Sequence, residues 1–200
     1  SDVPAVLVKR FDREGGFRKM CLSAASVLKY EFPTGVGEGA ESSTQIIASY
    51  PRLASVMRLI GCPVEDRQEL FKRMIFNVMC GNDDDHVRNH ALVYDMAQHQ
   101  WRLSPGYDVV PNQGGQVTHL GMGVSVTDRR ITRDNILSGF DEFGFESEAD
   151  AVFAIEEIFD GAVQTFSECK DLLDSTSREM LSKQIKVAAR TVNTRTAFSK

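Results

Sequence analysis

The sequence lacks the features of membrane-spanning and exported proteins. Its apolar runs all fall short of the roughly 20 residues that a transmembrane helix requires, and no charged segment followed by an apolar one opens the chain. The four cysteines are widely spaced without a CxxC pair and are interpreted as reduced thiols of the core. Together these absences favour a cytoplasmic protein.

The chain also lacks a charge excess that would attract polyanions. Its net charge at pH 7 is −5, and the cluster Arg129, Arg130 and Arg133 is too small to form a basic patch. We therefore expect no direct contact with nucleic acid and none with a membrane. With 42% hydrophobic and 26% charged residues over 200 positions, the composition is that of one globular domain with a sizeable core.

The first half of the chain predicts one strand and three helices. Ala5–Val8 is apolar and β-branched, which predicts a buried strand, and Pro33–Ser43 has the composition of a loop. The predicted helices are a short one capped by Ser23 that runs through Tyr30, one over Thr44–Ile60 that is broken or kinked at Pro51, and one with Glu65 and Asp66 in its first turn that ends at Gly81.

The second half predicts a hairpin followed by helices. Ala91–Tyr94 and Trp101–Leu103 are the hairpin strands, and Thr176 to Glu179 is a capping box that opens the last helix. Six apolar residues at helical spacing are expected in one core: Phe71, Met74, Val78, Val152, Ile155 and Phe166. The predicted class is mainly α with a few short β-strands, that is, α+β, in a single domain over residues 1–200.

The segment Gly81–Asn89 concentrates carboxylates, an imidazole and a carboxamide directly after a helix. A run of aspartates is most often a solvated loop. However, Asp84 and Asn89 match the pattern D-x-x-x-x-N, in which the Asp accepts a proton from a substrate hydroxyl and the Asn holds a magnesium ion. Asp83 and Asp85 are the neighbouring candidates for the base, and the spacing selects Asp84, so we expect the other two positions to tolerate substitution.

A second carboxylate follows at the position where a kinase needs one. Phosphoryl transfer uses an additional metal-binding carboxylate on a loop after a short hairpin, and Asp108 lies after the predicted strands. One carboxylate and one carboxamide oxygen, completed by water and phosphate, suit a hard octahedral cation such as Mg²⁺. The alternative is that Asp108 only stabilises a turn.

Five motifs occur in order along the chain: Val8-Lys-Arg-Phe-Asp-Arg13, Leu22-Ser-Ala-Ala-Ser26, Gly35-Val-Gly-Glu-Gly39, Gly81-Asn-Asp-Asp-Asp-His-Val-Arg-Asn89 and Leu103-Ser-Pro-Gly-Tyr-Asp108. Together they resemble the C-terminal part of HipA-family serine/threonine protein kinases, the toxins of toxin–antitoxin pairs. The resemblance covers at least residues 6–120 and implies the larger, C-terminal lobe of a protein-kinase-like fold.

The resemblance implies roles for individual residues. It makes Asp84 the catalytic base, and it makes Asn89 and Asp108 the ligands of magnesium. It places ATP against the hinge Lys9, Arg10 and Phe11 and against His86, Val87, Arg88, Asn89, Tyr107 and Asp108. Three of these positions or their neighbours depart from the family's usual residues: Lys9 stands where Glu is frequent, Arg88 where Lys is usual and His90 where Phe is usual.

The resemblance also implies a smaller lobe that this chain lacks. A kinase carries its phosphate loop and its phosphate-pairing lysine before the hinge, and only eight residues precede Lys9. Gly35–Ala40 fits G-x-G-x-x-A but follows a helix-like segment rather than a strand, so it is interpreted as a loop. We therefore expect the isolated chain to be inactive. The expected partners are a protein substrate and a HipB-like DNA-binding antitoxin.

Two other functions remain open from the residues. A metal-dependent phosphohydrolase could use the Asp and His residues of the loop, although His99 and His119 show no paired ligand spacing. A non-catalytic interaction domain descended from a kinase would preserve the same motifs.

Overall fold

The structure is a computed structural model and describes residues 7–30, 46–112 and 116–193. The predicted loop Pro33–Ser43, which includes Gly35–Ala40, lies outside these ranges. The described residues form an α+β arrangement, as predicted. Its elements are β1 (Arg13–Glu14), β2 (Phe17–Arg18), β3 (Cys21–Ser23), α1 (Ala24–Val27), α2 (Tyr50–Leu59), α3 (Val64–Cys80), β4 (Ala91–Asp95), β5 (Gln100–Leu103), α4 (Arg133–Leu137), α5 (Glu148–Cys169), a 3-10 turn (Lys170–Leu172) and α6 (Ser175–Val192).

Helix α3 lies at the centre of the core and packs against α2, α5 and α6. Its first turn carries Glu65 and Asp66, and it ends at Gly81 in the left-handed conformation (φ 68°), as the sequence predicts. Four of the six predicted core residues are buried in one cluster: Phe71, Met74, Val78 and Ile155. The other two, Val152 and Phe166, are half-buried and pack against its edge.

The predicted hairpin is confirmed and forms most of a three-stranded antiparallel sheet. The strand order is β3-β4-β5, with Leu92 opposite Leu22 on one side and Leu103 on the other. Asp66 docks the hairpin onto α3, because its carboxylate accepts bonds from the Arg102 guanidinium (2.9 and 2.8 Å) and from the Leu103 backbone N–H (2.7 Å). The segments before β4 and after β5 are thereby held relative to α3.

The predicted strand Ala5–Val8 is wrong in its described part. Leu7 and Val8 lie outside any strand and are 100% and 72% exposed. Neither pairs with another strand within the described part of the chain, so an apolar, β-branched composition was not enough to form a strand here. The first strands are instead β1 and β2, a short exposed hairpin.

Two helix starts differ from the prediction. Helix α2 begins at Tyr50 rather than Thr44, because Ser49 is extended and pairs with Gly123. Pro51 then lies in the first turn, where its missing N–H costs nothing, and does not kink the helix. Helix α6 is capped by Asp174, whose carboxylate accepts from the Ser177 backbone N–H (2.9 Å), so the predicted capping box at Thr176 is displaced by two residues.

The cysteines divide into two classes. Cys62 and Cys80 are buried thiols, as expected, whereas Cys21 and Cys169 are exposed, and all four are free. Burial raises the pKa of the Cys62 and Cys80 thiols to about 11. Among the described residues, no helix is both long and apolar enough to cross a membrane.

Candidate active site

The segment 82–90 connects α3 to β4 and is tied to the fold at both ends. Its backbone is anchored by α1, where the Ala24 N–H donates to the His90 carbonyl (2.8 Å) and the Ala25 N–H to the Val87 carbonyl (3.1 Å). Within it, the Asn89 N–H closes a turn on the His86 carbonyl (2.8 Å). We call residues 82–90 the acidic loop.

The three aspartates of the acidic loop have different environments. Asp83 is exposed and accepts a hydrogen bond from the Asn112 side chain (2.7 Å). Asp84 is exposed and makes no hydrogen bond or ion pair within the described part of the chain. Asp85 is only 2% exposed and is engaged by buried partners. Asp84 is therefore the one whose carboxylate is both accessible and uncommitted.

A buried polar network lies beneath the acidic loop. Asp85 Oδ2 accepts from the Tyr50 hydroxyl and lies 2.8 Å from His90 Nε2. The Tyr50 oxygen in turn accepts from Asn77 Nδ2 (3.0 Å), and Asn77 Oδ1 accepts from Asn82 Nδ2 (3.1 Å). Burial, and then the nearby Asp85 carboxylate, raises the pKa of Tyr50 well above its usual value.

Sequence reasoning missed this network. Tyr50 lies on α2, 35 positions before Asp85, and Asn77 lies on the last turns of α3, and each shares a helix face with core residues. A polar side chain on an apolar helix face is the signal that could have indicated a buried partner. The environment of Asp85 also contradicts the expectation that this position tolerates substitution, since removing the carboxylate would leave buried groups unpaired.

Asn89, which precedes β4, and Asp108, which follows β5, are brought together at the open end of the hairpin. Asn89 is 6% exposed, and its Nδ2 donates to the Asp108 backbone carbonyl at 3.4 Å. Asp108 is exposed and has a left-handed backbone (φ 58°), which is uncommon for a residue other than glycine. The contact occupies the amide nitrogen of Asn89 and leaves its Oδ1 as the side-chain oxygen for a ligand.

These two side chains fit a magnesium ion by the chemistry of their donors. Both offer hard oxygen atoms, one carboxylate and one carboxamide, and magnesium commonly uses one or two such protein ligands together with water and phosphate. Within the described part of the chain, no group of three or more His, Cys, Asp and Glu side chains is arranged to hold a metal ion.

The predicted hinge reaches the same region through aromatic contact. The Phe11 ring stacks on Tyr107 with ring centroids 5.5 Å apart, and the Tyr107 hydroxyl donates to the Arg88 carbonyl (2.7 Å). Partial burial raises the pKa of Tyr107 to about 12. Lys9 and Arg10 are exposed, and Arg10 pairs with Asp12 (2.6 Å). Phe11, Tyr107 and Arg88 thus join the hinge, the loop after the hairpin and the acidic loop.

Two concave regions flank these contacts. A cleft of about 1120 Å³ lies between the hinge with its β1–β2 hairpin and the β4–β5 hairpin, and Lys9, Arg10 and Phe11 line it. A smaller cavity of about 240 Å³ is lined by five residues of the predicted site or its network: Asn77, Asp85, Asn89, His90 and Tyr107. The hinge residues and the acidic loop therefore line separate cavities, and the stack of Phe11 on Tyr107 joins a residue of one lining to a residue of the other.

Two predicted nucleotide contacts have other surroundings. The Val87 side chain is 1% exposed and belongs to the core, so it does not line an open cleft. His86 is half-buried, and its Nδ1 has no hydrogen-bond partner within the described part of the chain. The unpartnered ring nitrogen of His86 is buried, whereas Val87 contributes packing and a backbone carbonyl that accepts from the Ala25 N–H.

The comparisons with known proteins agree on one family. The family model described as HipA-like C-terminal domain matches residues 1–170. A search of the curated proteins found no match. Among solved structures, the chain is similar to HipA of Shewanella oneidensis MR-1, from a toxin–antitoxin complex of HipA, HipB and operator DNA, with a TM-score of 0.68 and 19% identity.

That alignment covers 93% of this chain and 48% of the Shewanella protein, so the chain spans about half the length of the HipA structure that it matches. At this identity the likeness shows the fold, which is the kinase-like fold of HipA and confirms the predicted architecture. Because the family model covers most of its residues, the chain belongs to the family of HipA-like C-terminal domains.

Proposed function

We propose that this chain is the catalytic-loop lobe of a HipA-like serine/threonine protein kinase, which transfers the γ-phosphoryl group of ATP to a protein hydroxyl. The observation that carries the proposal is the hydrogen bond from Asn89 Nδ2 to the Asp108 carbonyl. It brings the two candidate metal ligands together although 19 positions separate them in sequence. The uncommon backbone of Asp108 supports the same conclusion, because such conformations cluster at functional sites.

In this proposal each side chain has a separate task. Asp84 accepts the proton of the attacking hydroxyl, and its exposed, uncommitted carboxylate suits a base that must reach a substrate. Asn89 Oδ1 and the Asp108 carboxylate would hold magnesium. When bound, magnesium supplies charge neutralisation on the phosphate oxygens. The transferred phosphoryl group forms its new bond to the substrate oxygen as its bond to ADP breaks.

The stack of Phe11 on Tyr107 supports the placement of the nucleotide. It joins the hinge to the loop that carries Asp108, so an adenine ring held by the backbone of Lys9–Phe11 would lie beside that loop. His86, Arg88 and Tyr107 are the remaining polar groups of the proposed ATP site. Val87 takes part only through its backbone.

The proposal includes parts of a protein beyond these 200 residues. The phosphate loop and its lysine would belong to a smaller lobe that precedes the hinge, which accords with the share of the Shewanella protein that the chain spans. That protein was solved with HipB and operator DNA. By analogy, we propose a HipB-like DNA-binding antitoxin as the partner of this protein, and a protein Ser or Thr as its substrate.

Substitution of Asp84 in the two-lobed protein is the experiment that tests the function. Asp84→Asn should lower the rate of phosphoryl transfer by roughly 100-fold or more, because a general base contributes about that much, and should leave magnesium-nucleotide affinity unchanged. Asp108→Ala should weaken magnesium-nucleotide binding as well. The measurements are autophosphorylation or substrate phosphorylation rates and calorimetric nucleotide affinity.

Asp83→Ala is the matched control, because it removes a neighbouring exposed carboxylate whose only described partner is Asn112. It should retain activity. Full activity in Asp84→Asn, or loss confined to Asp83→Ala, would overturn the assignment. Nucleotide binding without transfer in the unsubstituted two-lobed protein would favour a non-catalytic interaction domain, and metal-dependent release of phosphate to water without protein phosphorylation would favour a phosphohydrolase.

A further inference from the structure

The buried network beneath the acidic loop has a single direction. Asn82 donates to Asn77, Asn77 donates to Tyr50, and Tyr50 donates to Asp85. His90 approaches the same carboxylate oxygen from the other side through Nε2. A carboxylate only accepts hydrogen bonds, so the network ends at Asp85.

The network connects both ends of the acidic loop to rigid elements. Asn82 lies at its start and His90 at its end, whereas Tyr50 and Asn77 belong to α2 and α3. All of the side chains are nearly inaccessible: Asp85 is 2% exposed, His90 3% and Tyr50 0%. Breaking one of these bonds would leave a buried polar group unpaired, which proteins strongly avoid.

A second close contact to the acidic loop is made at Gly121. A Cβ atom at Gly121 would lie 2.5 Å from the Asp85 backbone oxygen and 3.0 Å from that of Asp83. These two carbonyls flank Asp84. Gly121 therefore permits a close approach of two backbone segments that any larger residue would force apart.

From these two contacts we infer that Asp85 and Gly121 are positioning residues, which hold the acidic loop so that the Asp84 carboxylate is presented to a substrate and Asn89 to Asp108. The inference rests on the proposed function, because it takes Asp84 as the base. Asp85 touches neither substrate nor nucleotide in this scheme. Asp85 acts on Asp84 through the peptide backbone that links the two residues.

The test uses changes of a single hydroxyl or methyl group. Tyr50→Phe keeps the core ring and deletes one donor to Asp85, and Gly121→Ala pushes on the two carbonyls that flank Asp84. In the two-lobed protein, each should lower kcat by roughly 10- to 100-fold, the effect of a small misplacement of a catalytic group. KM for ATP should change little. Asp85→Asn should behave similarly.

Two control variants separate positioning from loss of stability. Gly161→Ala adds the same methyl group to α5, where nothing lies within 4 Å, and should leave kcat unchanged. Phe143→Leu removes core volume against Phe71, away from the acidic loop, and should lower the melting temperature without lowering kcat below that temperature. If kcat tracks melting temperature alone across all the variants, the positioning role is wrong.

A measurement on the 200-residue chain distinguishes this inference from the proposed function. Side-chain amide NMR signals of Asn89 and Asn112 report on the two edges of the acidic loop, since they contact Asp108 and Asp83. Both signals should shift in Tyr50→Phe and Gly121→Ala and stay in place in Gly161→Ala. Unmoved signals would overturn the positioning role even in an active kinase, whereas shifted signals in a protein without kinase activity would reject only the proposed function.

Discussion

Phe71 packs against two other aromatic rings in the core. Its ring is fully buried and makes edge contacts with Phe143 and Phe145, each at 5.1 Å between centroids. We expect Phe71→Ala to lower the free energy of unfolding by roughly 3–5 kcal/mol, because it removes a large apolar group and leaves a cavity. Urea denaturation measures the loss. The control is Phe153→Ala, a 62% exposed position on α5, which should change stability by about 0.5 kcal/mol or less.

The cysteines make a residue-scale prediction about pH. Burial raises the pKa of Cys62 and Cys80 from 9.0 to about 11, and the thiolate is the reactive form. At pH 8 a thiol reagent should therefore label only the exposed Cys21 and Cys169 in the native chain and all four in urea. Equal labelling rates at the four positions would contradict the burial.

The raised pKa of these two buried thiols also predicts how the stability of the fold changes with pH. The fold favours the neutral thiols, so their contribution to stability is complete below the usual pKa of 9.0 and is lost as the pH rises through about 11. The urea midpoint should fall across that interval. Alanine substitution of Cys169, which is exposed, should leave this pH dependence in place.

At the scale of elements, the start of α6 is decided by Asp174. Its two carboxylate oxygens accept from the Ser177 backbone N–H (2.9 Å) and hydroxyl (2.7 Å), and these bonds hold the pKa of Asp174 below its usual value. Asp174→Ala should lower the melting temperature because it removes the cap. Thr176→Ala should not, because Thr176 is already the second residue of the helix. Thermal denaturation followed by circular dichroism compares the two variants. A larger effect of Thr176→Ala would show that the helix is capped by the predicted capping box at Thr176 instead.

The depressed pKa of Asp174 also predicts an acid limit for this cap. A carboxylate whose pKa is lowered in the folded state stabilises the fold at pH values above its usual pKa of 3.8. It loses that effect as the pH falls through the lowered pKa of the folded state. The difference in melting temperature between Asp174→Ala and the unsubstituted chain should therefore be present at neutral pH and disappear in strong acid. A difference that persists at the acid limit would assign the cap to something other than the carboxylate.

At the scale of the whole molecule, we expect the 200 residues to fold without supporting phosphoryl transfer. The helical core is built from α2, α3, α5 and α6, all present here, whereas the phosphate loop and lysine are proposed to lie on another lobe. The isolated chain should unfold cooperatively, bind nucleotide weakly with magnesium, and show little kinase or ATPase activity. Robust phosphorylation by the isolated chain would contradict this division of labour.

Asp108→Ala in the isolated chain is the control for that binding. Asp108 is exposed and its side chain supports no described core contact, so the variant should melt like the unsubstituted chain. If magnesium-dependent nucleotide binding survives in the variant, the metal ligands are elsewhere. If it disappears, the weak site of the isolated chain is the one proposed here.

Much of the fold was determined by local sequence. The apolar face of α3, its end at Gly81, the hairpin of β4 and β5 and the Ser23 cap all follow from periodicity, turn residues and capping chemistry, which act within a few positions. The candidate residues Asp84, Asn89 and Asp108 were likewise found from spacing and from the family resemblance. Their assigned roles remain predictions.

Only the tertiary structure decided what depends on distant neighbours. Leu7 and Val8 resemble a strand but have no strand to pair with in the described chain, and α2 starts late because Ser49 pairs with Gly123. The three aspartates are identical side chains in one run, and only their spacing to Asn89 favoured Asp84 in the sequence. Asp84 is left accessible because Asn112 engages Asp83, and Tyr50 and His90 engage Asp85. The identical side chains are thus distinguished by their hydrogen-bond partners, which come from α2, from the end of the acidic loop and from the segment after β5. No local sequence pattern encodes which of these partners each aspartate meets.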